Sequence, residues 1–227
     1  KLNKCRECRM SPNQRNKKMP NIFCRFYAFR KLRYGKNGVI VNSGFSEPKD
    51  ATESALKLWL PSEDTITSAE LDFETCKFLI AYVGDQFCNL MKQEQAAIKM
   101  HIGQDKKIAW KRVVQGVREM CDACETTLFN VHWVCHKCGF VICIDCYKAR
   151  KEKDGSEESS LSKDRDEYQW LLCANKQPHE QNKLMMTQII ASSALNDVGK
   201  MLQTIRKACK LISNHVGTEN NNCITNG

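Results

Sequence analysis

Fourteen cysteines in 227 residues constrain this chain more than any other feature of its sequence. Cysteines at this density either pair as disulfides in an oxidising compartment or bind metal ions in a reducing one. Most of these cysteines lie in CxxC pairs or near other candidate ligands, and the sequence has no N-x-Ser/Thr glycosylation acceptor. Disulfide scaffolds are also usually shorter than about 80–100 residues. The spacing therefore predicts a nuclear or cytosolic zinc protein.

The densest group of cysteines consists of three CxxC pairs, which are Cys121/Cys124, Cys135/Cys138 and Cys143/Cys146. Each CxxC turn can present two thiolates to one tetrahedral zinc ion, at about 2.3 Å each. Six thiolates are two ligands short of two closed sites, and the next candidate ligands along the chain are Cys173 and His179. Together these eight residues predict two zinc ions.

The spacing leaves open how the eight ligands are shared. In a crossed arrangement, one zinc is bound by Cys121, Cys124, Cys143 and Cys146, and the other by Cys135, Cys138, Cys173 and His179. In a sequential arrangement, the first four cysteines bind one zinc and the last four ligands bind the other. Cys173 also has a simpler interpretation as a buried apolar residue, and His179 as a solvated loop residue.

A third zinc site is predicted near the N-terminus, where Cys5, Cys8 and Cys24 provide three ligands. The candidates for its fourth ligand are Cys76, Cys88 and His101. We select Cys88, because Gly84 interrupts the helix predicted around it and frees the backbone there. The alternative is a flexible basic tail whose thiols bind nothing.

Charge is distributed unevenly along the chain. Residues 1–36 carry twelve Lys and Arg against one acid, a net charge of +11, whereas residues 47–94 have a net charge of −6. A basic arm with interleaved aromatic residues can contact phosphate backbones. The alternatives are a solvated basic surface and an arm that folds back onto the acidic segment. No groove-reading motif is visible, so we expect electrostatic binding without sequence readout.

The sequence predicts an α+β fold made of small zinc-stapled modules, with a cross-brace zinc finger and packed helices. The predicted modules are a basic N-terminal zinc-binding module (1–120), a cross-brace finger (121–190) with a linker (151–166), an amphipathic helix (191–212) and a disordered tail (213–227). No run approaches the 18 apolar residues that a membrane helix needs, so we expect no membrane partner. Because residue 1 is Lys and no apolar leader follows, we expect a fragment of a longer protein.

Local patterns predict several elements of these modules. A turn at residues 35–38 predicts a hairpin of strands 22–27 and 39–41. Apolar periodicity predicts helices on either side of Gly84, up to residue 100, and a third helix from Asp105 to Cys121. The apolar residues of 194–212 recur at steps of three and four, as in an amphipathic helix.

Five stretches resemble the zinc-finger region of the JmjC-domain lysine demethylase 3 family, which includes the Hairless corepressor. They are CDACETTLFNVHWVCHKCGFVICIDCY (121–147), KCRECR (4–9), IFCRFYAFR (22–30), GVREMCD (116–122) and LMMTQII (184–190). The resemblance covers about residues 4–205. The chain departs from the family at Met186, where Pro is usual, and in its long acidic insertion at 151–166. The resemblance favours the crossed arrangement of zinc ligands.

The resemblance implies a nuclear chromatin regulator. Full-length enzymes of the family demethylate lysine nine of histone H3 with Fe(II), 2-oxoglutarate and oxygen, and their JmjC domain binds the iron through a His-x-Asp/Glu…His triad. This sequence contains no His-x-Asp or His-x-Glu. We therefore expect no catalytic residue in this chain, and Fe(II) and 2-oxoglutarate would belong to the absent domain.

The function expected from the resemblance is a non-catalytic regulatory module with three structural zinc ions. Its implied partners are a histone tail or nucleosome, the JmjC domain of the parent protein, and nuclear receptors. The alternative is a DNA-binding zinc module that acts through its basic N-terminal arm.

Overall fold

The computed structural model of the chain describes residues 2–10, 23–62, 71–102, 107–154, 172–174 and 176–211. The helices in these ranges are α1 (Arg6–Arg9), α2 (Glu53–Lys57), α3 (Phe73–Ile102), α4 (Ile144–Asp154) and α5 (Ala194–Ala208). The strands are β1 (Arg30–Tyr34), β2 (Ile40–Phe45), β3 (Ala109–Trp110), β4 (His132–Val134), β5 (Val141–Ile142) and β6 (Met185–Gln188). The α+β class predicted from the sequence is confirmed.

The chain divides into two compact units, and each unit is assembled from two separate stretches. The first unit comprises Lys1–Asp50 and Lys106–Ile189, and the second comprises Ala51–Asp105 and Ile190–Gly227. This division differs from the predicted boundary between residues 120 and 121. The reason is that β3, which precedes the boundary, pairs in parallel with β6, which lies far beyond it.

A four-stranded sheet in the order β3-β6-β4-β5 forms the core of the first unit. β4 pairs antiparallel with both β5 and β6, with Trp133 opposite Ile142 on one side and Met186 on the other. All three of these side chains are buried, and because paired residues point to the same side, they cover one face of the sheet. The helix predicted from Asp105 to Cys121 is wrong over its described residues, because β3 and a following loop occupy this stretch.

A β-hairpin made of β1 and β2 forms the second sheet of this unit. Its turn is closed by a hydrogen bond from the Gly35 amide to the Val39 carbonyl, at 2.8 Å. The hairpin was predicted, but its first strand begins later than expected. Residues 24–29 form a turn instead, because Phe26 and Phe29 turn inward and pack against the ring of Phe45.

Helices α3 and α5 pack against each other in the second unit. The predicted break at Gly84 is wrong, since α3 continues through it. Gly84 instead gives room to α5, because a Cβ there would lie 3.3 Å from the Cδ atom of Arg206. Arg206 in turn forms a 2.5 Å salt bridge with Asp85. The amphipathic helix expected in 194–212 is present as α5.

Two predicted segments fall largely outside the described residues. Of the linker predicted at 151–166, the described part, up to Asp154, belongs to helix α4. The predicted tail, 213–227, is not described. In the described part of the chain, no helix combines the length and the apolar character that crossing a membrane requires.

His132 is a fully buried titratable residue on β4, opposite Thr187 of β6. Its Nδ1 atom lies 2.8 Å from the carbonyl oxygen of Asn130, and a carbonyl can only accept, so Nδ1 carries the proton. Burial lowers the pKa of His132 from 6.5 to about 4; the Asn130 carbonyl opposes this shift, and the charge of Lys111 adds to it. The imidazole is therefore neutral at pH 7.

We expect the free energy of unfolding to decrease as the pH falls from about 6.5 towards about 4, because the unfolded chain binds a proton at His132 that the folded chain excludes. The contribution is fully present above the unfolded pKa, and about 2 kcal/mol of it is lost between pH 7 and pH 5. Urea unfolding of the zinc-loaded chain and of His132→Phe at both pH values measures it. Protonation of zinc ligands affects both proteins, so equal pH dependence in the two would contradict the assignment to His132.

Candidate zinc centres

The first cluster of donors is formed by Cys121, Cys124, Cys143 and Cys146, whose sulfur atoms all lie within 4.8 Å of one another. Cys121 and Cys124 flank a turn that is closed by a 2.9 Å hydrogen bond from the Glu125 amide to the Cys121 carbonyl. Cys143 follows β5 directly, and Cys146 lies in the first turn of α4. The loop between β3 and β4 and the helix that follows β5 thus meet at one point.

The second cluster is formed by Cys135, Cys138, Cys173 and His179, again within 4.8 Å of one another. Cys135 and Cys138 lie in the turn between β4 and β5, where the Gly139 amide donates to the Cys135 carbonyl at 2.8 Å. Gly139 has φ +77°, a left-handed conformation that favours glycine. The ring of His179 stacks on Phe140 with centroids 4.3 Å apart. This stacking directs Nε2 of His179 towards the sulfur of Cys138, at 3.1 Å.

The distances between donors fit a tetrahedral zinc ion. Four bonds of about 2.3 Å around one ion separate the sulfur ligands by about 3.8 Å, whereas a disulfide needs about 2.05 Å. The sulfur atoms of Cys124 and Cys143 are 3.7 Å apart, and those of Cys135 and Cys173 are 4.0 Å apart. Sulfur donors with an imidazole are also the ligands that structural zinc prefers. The two donor sets are those of the crossed arrangement.

Hydrogen bonds within each of these two clusters favour deprotonation of one cysteine thiol. A hydrogen bond from Cys143, followed by backbone amides of the same turns, lowers the pKa of Cys121 to about 4. A hydrogen bond from Cys138 similarly lowers the pKa of Cys135 to about 3, with a smaller contribution from His179. Because zinc binds thiolates rather than thiols, these hydrogen bonds favour the form that the ion needs at one sulfur in each of these two clusters.

The third cluster contains Cys5, Cys8 and Cys24, with sulfur atoms within 4.8 Å of one another. The Cys8 amide lies 3.4 Å from the sulfur of Cys5, at the start of helix α1, and Cys24 opens the turn that precedes β1. The structure does not bring the predicted fourth ligand, Cys88, to these three. Cys88 lies on α3 in the second unit, and its sulfur is engaged in a disulfide.

The other two candidates for that ligand, Cys76 and His101, also lie on α3 rather than in the cluster. Twelve of the thirteen cysteines in the described ranges are free thiols, and all eleven of the predicted zinc ligands other than Cys88 fall in one of the three clusters. The remaining free thiols are those of Cys76 and Cys209.

Sequence reasoning missed the residues that surround the clusters. It counted Arg25 as one charge of the basic arm, whereas the structure pairs Arg25 with Glu7 and Asp122. A signal for this role was present, since Arg25 directly follows Cys24 and Asp122 directly follows Cys121. Charged residues adjacent to zinc ligands are held in fixed positions when the metal is bound.

We expect Cys135→Ser to unfold the zinc finger and Cys209→Ser to have little effect. Cys135 is a donor of the second cluster, and metal binding in such modules is coupled to folding. Cys209 is a half-buried residue at the end of α5, where the same substitution should cost at most about 1–2 kcal/mol. Thermal unfolding of both variants in the presence of zinc measures the difference. An equal loss of stability in the two would contradict the ligand role of Cys135.

No family model matches the chain, and no solved structure matches it. The chain is 46% identical over 208 residues to a probable JmjC domain-containing histone demethylation protein 2C of Homo sapiens, covering 91% of this chain and 8% of that protein.

Two further relatives are lysine-specific demethylases. The chain is 44% identical over 207 residues to lysine-specific demethylase 3A of Gallus gallus, covering 90% of this chain and 15% of the relative. It is 42% identical over 214 residues to lysine-specific demethylase 3 of Drosophila melanogaster, covering 89% of this chain and 25% of the relative. The chain thus spans a quarter or less of each of these relatives. Over about 90% of its length, the chain is homologous to one segment of members of the lysine demethylase 3 family.

Proposed function

We propose that this chain is a non-catalytic, zinc-binding regulatory module of a nuclear histone demethylase that acts on lysine nine of histone H3. The observation that carries the proposal is the pair of four-donor clusters in the first unit. A zinc ion held by four protein donors has no coordination position left for a substrate, so such ions are structural. The name of the human relative, a probable histone demethylation protein, supports the setting at chromatin.

The proposed task of the module is to recognise a histone tail or nucleosome and to position the JmjC domain of the parent protein. The basic arm favours binding to an acidic partner, because Lys4, Arg33 and Lys36 are exposed. Two other charges of the arm are compensated within the first unit, where Lys31 pairs with Asp50 and Arg25 with two carboxylates. The exposed charge is therefore smaller than the sequence total of +11.

This partial compensation favours the regulatory module over the alternative of a DNA-binding module. A protein that binds DNA through its phosphates needs several unpaired Lys and Arg on one surface. Sequence readout would also need side chains that reach base edges from a helix or ribbon in a groove. Nuclear receptors, which the family resemblance implies as partners, are a separate proposal.

We expect three zinc ions per chain. Native mass spectrometry of the intact, undenatured chain counts them directly, and Cys24→Ser and Cys146→Ser should each remove one ion because each residue belongs to a different cluster. Two ions in the unsubstituted chain would contradict zinc binding at the N-terminal cluster. One ion would also remove one of the finger sites.

We also expect the basic arm, residues 1–36, to bind nucleosomes through electrostatic attraction. The dissociation constant for mixed-sequence duplex DNA should rise by roughly tenfold or more between 50 and 200 mM salt if a handful of phosphates are contacted. The variant Arg33→Glu/Lys36→Glu should weaken nucleosome binding. A matched control is Lys92→Glu/Lys200→Glu, which makes the same charge change at two exposed residues of the second unit.

The outcomes of this titration separate the two functions. Tighter binding to nucleosomes than to the same DNA without histones supports the regulatory module. Equal binding to both, with the full salt dependence, supports the DNA-binding alternative. A preference for one DNA sequence that persists at high salt would contradict both.

A further inference from the structure

The side chain of Arg25 lies at the junction of the three zinc clusters. Its Nε atom is 2.5 Å from a carboxylate oxygen of Glu7, and its Nη1 atom is 2.5 Å from a carboxylate oxygen of Asp122. The same Nη1 atom donates to the carbonyl of Gly139 at 3.2 Å. One guanidinium therefore binds three groups from three separate segments of the first unit.

Each of these groups is adjacent to a donor of a cluster. Glu7 lies between Cys5 and Cys8 in the N-terminal cluster, and Asp122 follows Cys121 of the first cluster. Metal binding at either cluster fixes the backbone from which these carboxylates extend. The position of each carboxylate then determines whether the guanidinium can reach both at once.

Gly139 makes the corresponding link to the second cluster, since it follows Cys138 directly. A Cβ atom at this position would lie 2.9 Å from the Cβ of Arg25 and 3.5 Å from the Cβ of Cys5. The N-terminal segment is thus packed directly against the turn that carries Cys135 and Cys138. A hydrogen bond from the Arg6 amide to the Cys138 carbonyl, at 2.9 Å, adds a backbone contact between the same two segments.

The charges at this junction are largely withdrawn from water. The side chains of Arg25, Glu7 and Asp122 are 24%, 15% and 11% exposed. Removing one partner from such a group leaves the others partly buried and unpaired, which costs more than losing an exposed salt bridge. Asp122 also accepts a 2.8 Å hydrogen bond from the Val141 amide, which ties the junction to β5.

We propose that Arg25 is a positioning residue that couples the three clusters, so that zinc binding at the N-terminal cluster increases the affinity of the two finger clusters for zinc. The coupling acts because ordering either side of the junction lowers the entropic cost of ordering the other. By linkage, zinc in the finger clusters increases the affinity of the N-terminal cluster by the same factor. This inference rests on the three zinc ions of the proposed function.

The coupling is measured with Cys24→Ser, which removes a donor of the N-terminal cluster, in chains with and without Arg25. Each full-length chain is titrated with a chelator of known zinc affinity, and native mass spectrometry counts the ions that remain. With Arg25 present, Cys24→Ser should weaken zinc binding at the finger clusters by about fivefold or more, within the usual range of about 5–150-fold for such couplings. In an Arg25→Gln background, Cys24→Ser should change the zinc affinity of the finger clusters by less than about twofold.

The control background is Arg33→Gln, which removes the same charge from an exposed position on β1 and should retain the full coupling. If Arg25→Gln fails to fold, Glu7→Gln replaces it, because this isosteric change breaks only the link to the N-terminal carboxylate. An equal effect of Cys24→Ser in all backgrounds, or no effect in the unsubstituted chain, would overturn the inference. Three zinc ions without coupling would overturn the inference and leave the proposed function intact. An empty N-terminal cluster would also overturn the inference, whereas the proposed function would fail only if the two finger clusters bound no zinc.

Discussion

Convergence of sulfur and imidazole donors from distant segments is the interaction on which the first unit depends. Strands β3, β4 and β5 are two or three residues long, and hairpins this short are not stable alone in water. The crossed clusters join the loop between β3 and β4 to α4, and the β4–β5 turn to Cys173 and His179. A metal ion bound in each cluster would supply folding free energy that a small core lacks.

The same constraint explains the packing around the clusters. Trp133 is buried by stacking on Tyr147 of α4 with ring centroids 3.8 Å apart, and α4 is anchored by Cys146 one residue earlier. Phe140 is buried beneath the ring of His179, so one contact both fills the core and orients a donor. Zinc binding and aromatic packing are therefore one cooperative event, and Arg25 connects that event to the N-terminal segment.

Local spacing predicts which cysteines lie close together, because a CxxC turn carries its geometry in four residues. Cys173 and His179 are predicted because the six thiolates of the three CxxC pairs are two ligands short of two closed zinc sites. Local spacing does not predict the fourth ligand of the N-terminal cluster. Nothing in the sequence around Cys88 distinguishes it as a ligand from the other distant cysteines. The sequence predicts a helix where the structure has the strand Ala109–Trp110, because the pairing partner of this strand, β6, is far away in the sequence. It also predicts a helix break at Gly84, whereas the lack of a side chain there allows the approach of Arg206.

The crossed sharing of ligands is the central claim, and diffraction from crystals of the zinc-loaded chain at the zinc absorption edge tests it most directly. The account predicts one anomalous peak about 2.3 Å from the sulfur atoms of Cys121, Cys124, Cys143 and Cys146. A second peak should lie at bonding distance from Cys135, Cys138, Cys173 and His179. A peak bonded to both Cys124 and Cys135 would show sequential sharing and contradict the account.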